Sequence, residues 1–181
     1  MYIAIIAVLV VVILAIGIYN SLITLKNKTE EAWSDIDVQL KRRYDLVPNL
    51  VESVKGYAKH EQGTFEKITE SRSQAMQANT PAEKAKADNA LTETLKSLFA
   101  VAENYPDLKA NQNFLDLQNQ LSQLEETIQQ ARRYYNGNVR DFNIKIEVFP
   151  NNLFVGILGF KKFEFFEVGE AKEKENVKVE F

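Results

Sequence analysis

The chain has 181 residues, 45% of them hydrophobic, and a net charge of −3. That length suffices for one domain with a sizeable core, and the acidic balance argues against a dedicated nucleic-acid binder. With no cysteine and a single histidine, disulfides, thiolate metal sites and thiol catalysis are excluded.

Residues 1–18, MYIAIIAVLVVVILAIGI, hold no charged side chain, and apolar residues continue through Leu22, Ile23 and Leu25. A helix needs about 20 apolar residues to cross a bilayer, so residues 1–25 are expected to form a retained transmembrane anchor. A cleaved signal peptide would want a basic leading region, which is missing. It would also want a small-x-small site, which Ala15-Ile16-Gly17 supplies only in part. Lys26, Lys28 and Lys41 to Arg43 follow the span, while only the α-amino group precedes it. The positive-inside rule then expects a cell-membrane protein with its N-terminus outside and its domain in the cytoplasm.

Residues 26–149 read as a helical bundle. In the stretch Ala32 to Ala58 the residues Trp33, Ile36, Leu40, Tyr44, Val47, Val51, Val54 and Ala58 recur at gaps of three or four. They form one apolar stripe of a packed helix. Pro48 removes a backbone donor and disfavours helix at Val47. The unbroken stripe favours one helix kinked at Pro48. Asp45 as a cap, with Pro48 in a first turn, favours a break and a second helix running to about Ala78. Gly56 and Gly63 would be weak points inside that second helix.

Thr80-Pro81-Ala82-Glu83 is a capping box with proline at the first helical position, so a third helix is expected from there to Tyr105. Its face carries Ala87, Leu91, Leu95, Leu98, Val101 and Ala102. A fourth helix opens near Leu108, with Phe114, Leu117, Leu121, Leu124, Ile128, Ala131 and Tyr135 on a heptad-like, coiled-coil seam. The seam continues through Val139, Phe142 and Ile146 and ends at Phe149-Pro150. Trp33, Leu40, Val54, Leu95, Leu98, Phe114, Leu121 and Ile128 are expected in the core. The class is thus all-α, an anchor followed by an up-and-down bundle of long helices.

Residues 150–166 form an aromatic segment too short to span a membrane, and residues 167–181 a loosely ordered tail. The segment can fold over one end of the bundle, lie in the lipid interface or dock on a second copy. Phe154, Phe160, Lys161, Lys162, Phe163, Phe165 and Phe166 are its candidate lipid or partner contacts. Lys41, Arg42 and Arg43 are further candidates, either as a solvated face, a contact to anionic head groups or a protein contact. Arg132 and Arg133 are expected to stack with the neighbouring tyrosines. Asp35, Asp37, Asp45, Asn49, Asn111, Asn113, Asn136 and Asn143, with Tyr44, suggest hydrogen bonds between helices that fix register, or a polar surface for a partner.

No pattern announces an enzyme. His60-Glu61 are sequential and share no helix face, no HExxH or Glu-x-x-His occurs, and Gly156-Ile157-Leu158-Gly159 lacks the Lys-Ser/Thr of a phosphate loop. No catalytic residue, metal or cofactor is expected.

Three blocks carry a family resemblance: AWSDIDVQLKRRYDLVPNLVESVKGYA from Ala32, AVAENYPDLKANQNFLDLQNQL from Ala100, and ARRYYNGNVRDFN from Ala131. With Phe149-Pro150 and Gly159-Phe160 they resemble the LemA family of bacterial membrane proteins. The resemblance implies a single-pass anchor and a four-helix bundle, which favours the break at Pro48. The expected function is a membrane-anchored interaction scaffold, self-associating and non-catalytic. The alternatives are a regulatory adaptor for another membrane protein, such as a transporter or membrane protease, and an enzyme with a carboxylate-based site. The expected partners are the lipid bilayer, further copies and other membrane proteins.

Overall fold

A computed structural model describes residues 1–167; the expected tail lies, beyond Glu167, outside the described residues. Six helices and no strand occur among them: α1 (Tyr2–Lys55), α2 (Gln62–Gln77), α3 (Pro81–Ala102), α4 (Pro106–Lys109), α5 (Gln112–Glu147) and α6 (Asn152–Leu158). The all-α class and the long apolar N-terminal helix are as expected. The break at Pro48 is not.

Helix α1 runs uninterrupted through Pro48, and the chain turns instead at residues 56–61. The stripe explains why. Ile36, Leu40, Tyr44, Val47, Val51, Val54 and Ala58 are all buried, so their phase holds across the proline. Proline's missing N–H leaves the carbonyl four residues earlier, that of Tyr44, without its helical donor. Arg72 of α2 fills the gap: its Nε donates to the Tyr44 carbonyl oxygen at 2.6 Å. Gly56, read as a weak point within a second helix, belongs to the actual turn.

The chain forms two compact units. The first comprises Met1–Arg43 and Asn119–Phe165, the second Tyr44–Gln118 with Phe166 and Glu167. In the first unit α1 and α5 pack antiparallel. Leu22 and Ile18 meet Phe142 and Ile146, Trp33 meets Tyr135, and Arg43 meets Glu125. Climbing α1 thus means descending α5. Leu40, Leu121 and Ile128 are buried as the seam requires, and Trp33 is half-buried against the Tyr135 ring.

In the second unit the capping box forms as written. Thr80 Oγ1 accepts from the Glu83 N–H at 3.2 Å, and Glu83 Oε2 accepts from the Thr80 and Asn79 N–H groups at 3.1 Å. The Asn79 and Thr80 backbone donors hold the Glu83 carboxyl below its ordinary pKa. Leu91, Leu95 and Leu98 of α3 are buried, as are Val54 of α1 and Phe114 of α5. The fourth long helix starts at Gln112, later than expected, because residues 106–109 form the separate turn α4. Asn111 makes that junction: its Oδ1 accepts from the Phe114 N–H and its Nδ2 donates to Tyr57 Oη, both at 3.1 Å.

Candidate functional site

The densest cluster of aromatic chemistry lies in the first unit, where α1 leaves its apolar stretch. Residues 1–14 are exposed throughout, and burial sets in only at Ile18 and Leu22. These two side chains join Phe142 and Ile146 of α5 in one apolar cluster. Leu25, Phe154, Val155, Phe160 and Phe163 pack partly buried against it.

The route from sequence to this arrangement is local. Helix α6 ends at Gly159, whose φ of 75° is the left-handed conformation that glycine adopts without cost. The Phe160 N–H reaches back to the Val155 carbonyl at 3.3 Å, and the chain reverses onto α5. Phe160 then stands edge-on to Phe142, with centroids 6.1 Å apart, and tilted against Tyr19 of α1 at 6.2 Å. Phe163 meets Phe142 edge-on at 5.0 Å. Edge-to-face contact at these separations suits the ring quadrupoles.

Polar groups fasten the returning chain. Asn143 clasps Phe163 from both sides, its Nδ2 donating to the Phe163 carbonyl and its Oδ1 accepting from the Phe163 N–H, each at 3.0 Å. Tyr135 Oη donates to the Glu164 carbonyl at 2.8 Å. Burial, and then the nearby Glu164 carboxylate, push the Tyr135 phenol up to about 12. Asn151 Nδ2 donates to the Lys145 carbonyl at 2.7 Å, and Lys162 pairs with Glu147.

The ten candidate contact residues therefore separate. Phe154, Phe160 and Phe163 are half-buried in the cluster, and Phe166 is fully buried. Lys161, Lys162 and Phe165 remain exposed. In the basic triplet Lys41 and Arg42 are exposed, whereas Arg43 is buried and its Nη1 lies 2.8 Å from Glu125 Oε2. Tyr135 lies tilted against Trp33, with ring centroids 5.4 Å apart. Sequence reasoning missed Ile18, Tyr19 and Leu22 as the seat of the aromatic segment. It read them as anchor only, and the signal lay in the seam of α5 running on to Ile146. Among the described residues no group of three or more His, Asp or Glu side chains gathers as metal ligands.

A sequence profile of the LemA family matches residues 32–181. The chain belongs to the LemA family. Protein LemA of Metamycoplasma hominis is 30% identical over 172 residues, covering 88% of this chain and 77% of that protein. Two magnetosome proteins of Paramagnetospirillum magneticum, both called MamQ, are 26% identical over 175 residues, covering 82% of this chain. The chain spans 64% of the length of those two magnetosome relatives.

Proposed function

We propose that this LemA-family chain is a membrane-anchored helical scaffold that self-associates and performs no catalysis. The observation that carries the reading is α1. A helix apolar enough to cross a membrane continues without interruption into the packed stripe at Ile36, Leu40 and Tyr44. From Tyr2 to Leu22 the helix rises roughly 30 Å, the thickness of a hydrocarbon core. One continuous helix thus supplies both anchor and core residues, which suits a protein that holds other chains at a membrane.

The proposed orientation keeps the N-terminus outside and the helical units in the cytoplasm, since Lys26 and Lys28 flank only the inner end. Lys41 and Arg42 lie about 28 Å further along α1 than Leu22, beyond a Debye length of about 8 Å, so head groups are served by Lys26 and Lys28 instead. Lys41 and Arg42 are left for protein contact.

Purification of the full chain in mild detergent without crosslinker tests the reading. A particle made of several copies of this chain supports it. A particle containing one copy and a stoichiometric second membrane protein replaces the scaffold with the adaptor reading.

A further inference from the structure

The aromatic segment sorts its apolar side chains in two directions. Phe154, Val155, Phe160 and Phe163 turn inward onto Ile18, Leu22, Phe142 and Ile146. Leu153 and Ile157 turn outward and are 61% and 86% exposed, as is Phe149, just before the segment, at 78%. Leu153 and Ile157 stand four residues apart on α6, hence on one face. Nothing within the unit covers them.

Their position says what does. The inward half of the segment is held at the Ile18–Leu22 turn of α1, with Phe160 against Tyr19. That turn is where a helix starting at Tyr2 has risen through a hydrocarbon core of about 30 Å. Helix α6 is therefore held beside the Ile18–Leu22 turn, just past the exposed apolar residues 2–14, at the level where the bilayer would end. Aromatic rings such as Tyr19 favour that level, and Lys161 and Lys162, both exposed, follow α6 after Gly159 and Phe160. Immersing isolated apolar side chains in the boundary between head groups and acyl chains is favourable, as for interfacial helices.

We propose that α6 is a lipid-seated wedge, its Leu153 and Ile157, with Phe149 just before it, inserted in the phospholipid interface beside the point where α1 leaves the membrane. The wedge gives the first unit a second membrane contact and so fixes the depth of α1. It rests on the reading of α1 as a membrane span.

The native absence of cysteine permits single spin labels. Leu153→Cys and Ile157→Cys, with Leu9→Cys in the span and Val38→Cys on the exposed flank of α1 as references, are labelled in the full chain. The chain is reconstituted in vesicles of phosphatidylcholine and phosphatidylglycerol. Collision with oxygen, which concentrates in lipid, is compared with collision with a water-soluble nickel chelate. The proposal expects oxygen to dominate at 153, 157 and 9, and nickel to dominate at 38. Nickel dominating at 153 and 157 while 9 stays in lipid overturns the wedge and leaves the anchor standing. Nickel dominating at 9 as well overturns both. Spin–spin broadening at 157 that vanishes on dilution with unlabelled chain means a second copy covers α6, which also overturns the lipid seat.

Discussion

Arg72 shows how a single side chain can cancel a helix breaker. Its Nε bonds the Tyr44 carbonyl that Pro48 leaves without a backbone donor. Arg72→Ala is expected to cost about 1–3 kcal/mol, the range for a charged donor lost from a half-buried acceptor. In a Pro48→Ala background the cost should shrink, because the substituted alanine carries an N–H that can serve the Tyr44 carbonyl itself. A double-mutant cycle by urea unfolding measures the coupling, and additive costs would detach Arg72 from the proline. Tyr135 makes a second residue-scale case. Its phenol titrates near 10.0 when unfolded and is raised to about 12 when folded, so folding favours the neutral form. That contribution is complete below pH 10 and lost as pH rises towards 12. A phenolate absorbance titration should find a late-titrating tyrosine whose signal disappears in Tyr135→Phe. If all tyrosines of the folded chain titrate together near their ordinary value, the burial argument for Tyr135 fails.

At the scale of elements, the helices were legible where the information is local and obscure where it is not. The capping box at Thr80 and Glu83 satisfies its own donors within four residues, so α3 begins where its sequence says. The apolar stripe from Ile36 to Ala58 already held the continuity of α1, because a phase kept across a proline leaves no room for a turn. Pro48 pointed the other way only because its rescuer sits 28 residues from Tyr44, on another helix. The aromatic segment was legible as unusual, but its sorting into inward and outward faces depends on Gly159 reversing the chain and on Asn143 gripping Phe163. Neither contact is encoded by periodicity. Two element-scale outcomes follow. Leu121→Ala, in the buried seam of α5, should cost roughly 2–5 kcal/mol in denaturant unfolding of the full chain in detergent. A cost below about half a kcal/mol would mean the seam is loosely packed at that point. Asn143→Ala leaves both backbone groups of Phe163 unserved and should expose the chain after Gly159 to protease, leaving the helices intact. Unchanged cleavage there would make the clasp incidental.

For the whole molecule, membership in the LemA family and the uninterrupted α1 support the proposed reading, in which a single helix leaves the bilayer and supplies buried residues to the packed units. Composition excluded thiol chemistry at once, and the charge pattern after residue 25 is the ground of the proposed orientation. Partner identity was illegible because partner recognition resides in exposed side chains, such as Lys41 and Arg42, whose pattern no folding constraint dictates. The proposed orientation requires the domain to lie inside the cell, beyond the inner end of the span. Protease added to intact cells tests this most directly. The chain should survive with residues 30–147 whole and be cut only after the cells are permeabilised. Digestion within residues 30–147 of intact cells would contradict the account.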